Sequence, residues 1–363
     1  MFISELQITN FRNFENLLFP PDIGLNVLVG DNAQGKTNLL EAIYVLAHSS
    51  SFRIANDRDL IRFGQEGFNI RANYLTSEKE KSIEVIYTSA KGKTVKLNNK
   101  KRFSASEKPR VTLFTPDDLF LLKGAPQGRR GFLDNIISQV SPEYLVHLDN
   151  YETLIKRRNS LLRSDDPPAA MLDAIDTVFV ETAAQIVIAR LNILKLLEEE
   201  SRRYYQMISA GQGSLSLKYA MSFSLSPGKI NLVMIKDALA ACLRESRERE
   251  IHRHYSLFGP HRDDINVYID DKNARIYASQ GQQRNVIVAL KLAELEVIHK
   301  LQGTYPIFLL DEVLAELDAS RKKVILQILQ EAPFQTFLTS VEVSLFNDIR
   351  GKIIKVQQGK FDW

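Results

Sequence analysis

Gly30-Asp31-Asn32-Ala33-Gln34-Gly35-Lys36-Thr37 has the spacing G-x-x-x-x-G-K-[ST]. Glycines let such a loop curl so that successive backbone N–H groups turn inward, making a concave anion site. A lysine at its end reaches a β- or γ-phosphate, and the threonine hydroxyl is placed to ligate Mg²⁺. The loop residues with the following Asn38 are therefore the candidate nucleotide-binding set. A second constellation is Ile307-Phe308-Leu309-Leu310-Asp311-Glu312. Four apolar residues suit an internal strand of a parallel sheet, and ligands of open α/β sheets bind beyond such strand ends. There Asp311 is a candidate Mg²⁺ ligand together with Thr37, and Glu312 a candidate base toward an attacking water. Lys36, Asp311 and Glu312 form the candidate catalytic group. A third, Ser279-Gln280-Gly281-Gln282-Gln283-Arg284, stands before a predicted helix over Asn285–Leu301 and offers a hydroxyl, free N–H groups and a dipole end. One nucleotide has its phosphates cradled already, so a second cradle makes sense when offered to the γ-phosphate held by another copy of the chain.

These residues need particular elements to carry them. Ile3–Asn10 alternates as a half-buried strand, and Leu25–Val29 is a short buried strand leading into the loop, with helical spacing over Leu39–Ala47. Ser82–Thr88 and Thr94–Leu97, joined through Ala90-Lys91-Gly92, read as a hairpin. From Pro126 to Glu250 the period becomes helical, with Pro142–Leu162 and Ala169–Tyr205 separated by Asp165-Asp166-Pro167-Pro168. Strand-like sequence resumes at Ile265–Ile269 and Ile307–Leu310. Phosphate loop and acidic pair, 275 residues apart by number, are expected on neighbouring strands, so the intervening chain must form its own core. The plainest organisation is an α/β domain split by a helical insertion, with boundaries at 1–125, 126–254 and 255–363.

Composition narrows the function classes. A chain of 363 residues with 44% hydrophobic and 25% charged residues is globular, which excludes a disordered or collagen-like protein. A net charge of +3 is too small for a uniformly basic surface, so any nucleic-acid footprint must be local. The single cysteine, Cys242, builds neither an internal disulfide nor a zinc site, as in a reducing compartment. No stretch approaches 18 uninterrupted apolar residues and Met1–Ile8 lacks signal-peptide character, so a soluble cytoplasmic protein without a membrane partner is expected.

With the loop, the acidic pair and Ser279–Gln282 in hand, the chain resembles the ABC-type ATPases, whose signature sequence is usually L-S-G-G-Q. Gln280 replaces the first glycine, while Ser279, Gly281 and Gln282 match. Val313-Leu314-Ala315-Glu316-Leu317-Asp318 is similar to the family's D-loop, with Asp318 as the acid facing the dimer interface. The switch histidine is missing: Phe337-Leu338-Thr339-Ser340 ends the next strand, leaving Thr339 or Ser340 to orient the γ-phosphate. Leu6–Phe14 and Thr37–Ile43 are similar to the chromosome-maintenance and repair branch. Gly259-Pro260-His261-Arg262-Asp263-Asp264 and Gln127–Asp134 resemble the RecF family of bacterial recombination mediators. This resemblance implies an ABC-type P-loop head, a mixed sheet with flanking helices, carrying an inserted helical domain. It also implies a slow, DNA-dependent ATPase that uses ATP and Mg²⁺, forms a homodimer on ATP and binds single-stranded, gapped or duplex DNA. Its partners would be RecR and RecO, its task the direction of RecA to gaps in replication repair and the SOS response. A transporter's nucleotide-binding subunit and a monomeric P-loop kinase remain as alternatives. The first leaves the helical insertion and the Asn10-Phe11-Arg12 stretch without a use; the second leaves Ser279–Arg284 without one.

For DNA phosphates the candidates are Arg129 and Arg130, and Lys156, Arg157 and Arg158, which lack acids nearby in sequence. Arg244–Arg253, interleaved with Glu245, Glu248 and Glu250, reads as a solvated, salt-bridged helix face. His252 and His254 read as solvated or structural, and His261 as a turn residue satisfied by backbone, with a role in positioning loops near the nucleotide as the alternative. Arg53 is open between reaching the nucleotide or coupling it to DNA and burial in an ion pair.

Overall fold

The computed structural model describes residues 1–76, 79–104, 107–164, 167–347 and 349–362. Asp165 and Asp166, expected to punctuate two helices, lie outside the described residues. The chain divides into two units, Met1–Leu119 with Lys291–Trp363, and Phe120–Leu290.

The first unit contains β1 (Phe2–Phe11), β2 (Phe14–Phe19), β3 (Leu25–Val29), α1 (Lys36–His48), β4 (Gly67–Leu75), β5 (Glu80–Thr88), β6 (Gly92–Leu97) and β7 (Val111–Phe114). The alternation in β1 becomes a five-stranded antiparallel sheet ordered β2-β1-β4-β5-β6. Its inward residues, among them Phe11, Ile70 and Val85, share one core with Leu39, Leu40, Ile43 and Leu46 of α1. Each such side chain contributes about 1.5–3 kcal/mol when fully buried. That packing, more than helix propensity, fixes α1 as a rigid carrier for its first turn.

In the second unit are α2 (Pro126–Val140), α3 (Pro142–Leu162), α4 (Ala169–Ile208), β8 (Leu215–Ala220), α5 (Leu232–Arg253), β9 (Asp264–Ile269), β10 (Lys272–Asn273) and α6 (Ala274–Tyr277). Ser141 caps α3, its side chain accepting from the Tyr144 N–H ahead of Pro142 at the first helical positions. By length and composition α4 could cross a membrane, with mean hydropathy 1.4 over its most apolar window. Fifty-six per cent of that window is buried, and Phe179, Ala183, Ile186 and Val187 are core residues. The insertion is not purely helical: β8 pairs with β9 from Leu215↔Ile269 to Ala220↔Asp264 in a three-stranded sheet ordered β10-β9-β8. This register explains where the observed division departs from the sequence expectation. The strand resuming after His261 completes the insertion's sheet, so the second unit runs to Leu290, where the reading ended it at residue 254.

α7 (Gln280–Gln302) leads to β11 (Ile307–Leu310), α8 (Ala319–Glu331), β12 (Thr336–Ser340), β13 (Lys352–Gln357) and β14 (Lys360–Asp362), which complete the first unit. Its six-stranded sheet is ordered β14-β13-β3-β12-β11-β7, parallel from β13 to β7. Every residue of β3, β11 and β12 is buried, as expected for strands covered on both faces. β12 lies between β3 and β11, so the loop strand and the acidic strand are not neighbours as expected from sequence. The chain leaves β11, passes through α8 and returns into the gap. The register Val29↔Ser340 and Leu338↔Leu310 then brings Gly30, Thr339 and Asp311 to one sheet edge.

Candidate nucleotide site

The loop Gly30–Gly35 is held by its surroundings. A Cβ on Gly30 would lie 2.3 Å from the Val356 carbonyl oxygen of β13, so only glycine permits that approach. Gly35 has φ +114° and its Cβ would meet Asn13 Nδ2 at 2.6 Å. It precedes α1 without a side-chain cap, leaving the N-terminal N–H groups of that helix for an anion. The tip of the β13–β14 hairpin clasps the loop: the Gln358 N–H donates to Gln34 Oε1 at 2.6 Å and the Gly359 N–H to the Gln34 carbonyl at 2.9 Å. Asp31, Asn32 and Ala33 are exposed at the loop's crown. Asn38, in the first turn of α1, donates to Asn13 Oδ1 at 2.8 Å and accepts from Arg53 Nη1 at 3.1 Å.

Lys36 is 3% exposed, its ammonium donating to the Gly30 and Asp31 carbonyls at 2.6 and 3.0 Å. Glu312 Oε1 lies 3.3 Å from the same nitrogen. Asp311 Oδ1 accepts from Thr37 Oγ1 at 2.9 Å and from Thr339 Oγ1 at 2.8 Å. The Glu312 N–H in turn donates to Thr339 Oγ1 at 2.8 Å. Burial pushes the Asp311 carboxyl above its ordinary range, and the hydrogen bonds from Thr339 and Thr37 pull it back. The donor set fits Mg²⁺. The 2.9 Å between Thr37 Oγ1 and Asp311 Oδ1 matches neighbouring oxygens of an octahedral shell, about 3.0 Å apart for bonds of about 2.1 Å.

Thr339 and Ser340 do not do what the sequence reading gave them. The Thr339 hydroxyl is fully buried and spent on Asp311 and the Glu312 N–H. The Ser340 hydroxyl turns back to Glu342, donating to its carbonyl at 3.3 Å and accepting from its N–H at 3.1 Å. Both are committed to shaping the strand ends, because β12 emerges between the two acid-bearing and loop-bearing strands.

In the second unit, Ser279 and Gln282 form a reciprocal capping box at the start of α7. The Gln282 N–H donates to Ser279 Oγ at 3.2 Å and the Ser279 N–H to Gln282 Oε1 at 2.9 Å. Both side chains are exposed and Gly281 is half-buried. Asp318, in the first unit, caps α8: Oδ1 accepts from the Arg321 N–H at 3.1 Å and Oδ2 pairs with the Arg321 guanidinium. It stays half-exposed at the end of the turn through Val313–Glu316.

A family model described as RecF/RecN/SMC N terminal domain matches residues 2–361. The chain is 40% identical over 350 residues to the DNA replication and repair protein RecF of Bacillus mycoides (strain KBAB4), covering 94% of this chain and 92% of that protein. With RecF of Bacillus cytotoxicus (strain DSM 22905 / CIP 110041 / 391-98 / NVH 391-98) it shares 39% over 370 residues, covering 100% and 98%. The chain belongs to the RecF family. A solved structure described as the recombination mediator protein RecF-ATPrS in the RecFOR pathway superposes with TM-score 0.89 at 32% identity, covering 99% of this chain and 97% of that one. An SmcHead bound to the C-winged helix domain of ScpA, 17% identical with TM-score 0.60 and covering 100% and 96%, shares the fold. The loop and acidic pair thus stand on a RecF-type ABC ATPase head.

Two of the DNA candidates are overturned. Arg129 is 4% exposed, paired through Nε and Nη2 with Asp264 at 2.8 Å each, while Nη1 donates to three carbonyls. Arg158 is 1% exposed, bonded to Asp176 at 2.6 Å, Glu250 at 2.7 Å and Ser256 at 2.7 Å. Their acids come from distant segments, which local spacing cannot show. Glu250 is itself fully buried, unlike the solvated acid expected in that helix. Arg130 is half-buried and donates to the Asp263 carbonyl at 2.8 Å. Lys156 and Arg157 are exposed on α3. Arg53 is exposed, donating to Asn38 and standing 3.7 Å from Glu41.

The sequence reading missed Glu41. It is fully buried, accepting from Arg12 Nε and Nη2 at 2.8 Å each and from Ser51 Oγ at 2.6 Å. An acid inside the apolar run Leu39-Leu40-Glu41-Ala42-Ile43 was the available signal. His261 is held by the Tyr151 hydroxyl at 2.6 Å, and burial drops its pKa to about 4.

Proposed function

We propose that this chain is an ATP-dependent DNA-binding protein of recombinational repair: a clamp that closes as a homodimer on ATP and opens on slow, DNA-dependent hydrolysis. The observation that carries this reading is the chain of hydrogen bonds Thr37–Asp311–Thr339–Glu312, closed by the contact of Glu312 with Lys36. It joins phosphate loop, metal ligands and base at one sheet edge.

The roles follow from the chemistry of each group. Lys36 neutralises the β- and γ-phosphates, for which it exchanges the two loop carbonyls. Thr37 and Asp311 would hold Mg²⁺, whose charge would offset that developing on the phosphate oxygens. The Gly30–Asn38 backbone cradles the triphosphate. Glu312 takes the proton from the attacking water as that water's oxygen bonds to the γ-phosphorus and the bond to the β-phosphate oxygen breaks. Ser279, Gly281 and Gln282 of a second copy close the site over the γ-phosphate, beside Asp318. The exposure of the Ser279 and Gln282 side chains supports that use. ATP held between copies favours the closed dimer by its higher affinity for that state, and hydrolysis removes the advantage.

The family's place in the RecFOR pathway supports a cytoplasmic protein acting with RecR and RecO to direct RecA to single-stranded gaps. Glu312→Gln tests the mechanism: with ATP and Mg²⁺ the variant should accumulate as a dimer that does not turn over. Turnover at the wild-type rate would remove Glu312 as the base.

A further inference from the structure

The correction at Arg129 and Arg158 leaves open where nucleic-acid phosphates are held. Between Lys91 and Arg110 the chain has eight Lys and Arg against one acid, Glu107. The whole chain has 47 cations and 44 acids; without this stretch 39 and 43 remain, a net charge of −4. Twenty residues therefore supply the entire positive balance.

Four of the eight cations are engaged. Lys93 pairs with Asp57 at 2.6 Å, Lys96 with Glu84 at 2.9 Å, Lys108 donates to Ser49 Oγ at 2.7 Å, and Arg110 to Gln302 at 2.5 Å. Lys91, Lys100, Lys101 and Arg102 are exposed, and among the described residues none has an ion pair. They stand at the two ends of β6, the edge strand of its sheet. Lys91 lies in the turn before β6. The other three follow Asn98 and Asn99, whose φ values of 47° and 63° are left-handed, a conformation asparagine tolerates better than most residues.

That turn is pinned. The Leu97 N–H donates to the Lys100 carbonyl at 2.9 Å and the Lys100 N–H to the Leu97 carbonyl at 2.8 Å. The Asn98 N–H donates to the Ser82 carbonyl at 2.8 Å, and the Ser82 N–H to Asn98 Oδ1 at 2.9 Å. A six-residue strand spans about 20 Å at about 3.3 Å per residue. This is the axial length of about six phosphates on one duplex strand at about 3.4 Å each. Among its described residues the stretch has no exposed large hydrophobic residue to anchor a protein partner. Exposed cations beside a pinned turn, with the one aromatic of the stretch, Phe103, half-buried against the core, suit the phosphate backbone, without base readout.

We propose that the β6 edge, through Lys91 and the Lys100-Lys101-Arg102 turn, is the surface on which this chain grips nucleic-acid phosphates. The inference rests on the DNA-binding reading above. Its test compares wild type, K100Q/K101Q/R102Q, K100R/K101R and K156Q/R157Q for affinity to a gapped duplex over about 0.05–0.2 M salt. Melting curves check folding, and ATP hydrolysis without DNA should be unchanged in all. The triple variant should flatten the slope of log affinity against log salt by about 2.7, at about 0.9 per phosphate, and bind at least about tenfold more weakly. K100R/K101R should retain the wild-type slope, and so should K156Q/R157Q. If wild type binds and the triple variant keeps its slope, the inference is overturned while the DNA reading stands. If wild type itself shows no salt-dependent binding, the DNA reading falls and takes the inference with it.

Discussion

Thr339→Val keeps the shape of a fully buried side chain and removes one hydroxyl. That hydroxyl donates to the Asp311 carboxylate and accepts from the Glu312 N–H, both at 2.8 Å. Hydrogen bonds to charged groups are worth about 1.5–3 kcal/mol, and a buried donor left unpaired costs about 1–3 kcal/mol. Glu312 also sits at φ 54°, a left-handed conformation costing about 1–2 kcal/mol for a non-glycine residue, and the bond to Thr339 is one of its restraints. The variant should therefore lose about 2–4 kcal/mol of stability. If about 2 kcal/mol of this reaches the transition state, kcat falls about 30-fold. If Lys36 and the loop N–H groups hold ATP as proposed, its affinity should change little. With Thr339 gone, burial of Asp311 is opposed only by Thr37 among its two hydroxyl partners, so its pKa rises and the acidic limb of the pH–rate profile moves upward. Steady-state hydrolysis, equilibrium ATP binding and urea melts check these points, and Thr339→Ser should restore all three. A Val variant with wild-type kcat and pH profile would refute the argument that this hydroxyl sets the acids.

Two further substitutions probe the second unit. Arg158→Met leaves the fully buried Glu250 without its cation, while Asp176 keeps Arg247 at 2.8 Å, and should cost about 3–5 kcal/mol, seen as loss of the unit in a melt; a variant as stable as wild type would show that the network is not buried as described. His261 has a pKa near 4 when folded and about 6.5 when unfolded, so between these values the unfolded chain binds more protons. Stability then falls as pH drops through that window, by about 3 kcal/mol for this group. His261→Gln should flatten the fall between neutral and acid pH, although His48, also lowered to about 4, keeps its own share. An unchanged pH dependence would exclude His261 as a contributor.

Local chemistry was the legible part of the sequence. The strand–loop–helix at Leu25–Ala47, the acids after Leu310 and the polar start of α7 each announce themselves through neighbours in the chain. What was illegible depends on sheet order and on distant partners. Nothing near Thr339 shows that β12 enters between β3 and β11, so its hydroxyl was assigned to the phosphate when it serves the two acids. Nothing near Arg129 or Arg158 shows Asp264, Asp176 or Glu250 folding back onto them, so buried cations were read as surface ones. β8 was lost inside a helical stretch because its six residues pair only with a strand 44 or more positions later. The cationic run at Lys91–Arg110 was passed over, because a whole-chain balance near zero hides a local excess that only a count over the stretch reveals.

The proposed clamp requires ATP to join two copies of this chain. Light scattering of the wild-type protein, with and without ATP–Mg²⁺ and DNA, measures it directly. Wild type should be monomeric without nucleotide and show twice the mass when ATP is present, with Lys36→Met remaining monomeric throughout. Wild-type monomers at saturating ATP–Mg²⁺ and DNA would contradict it.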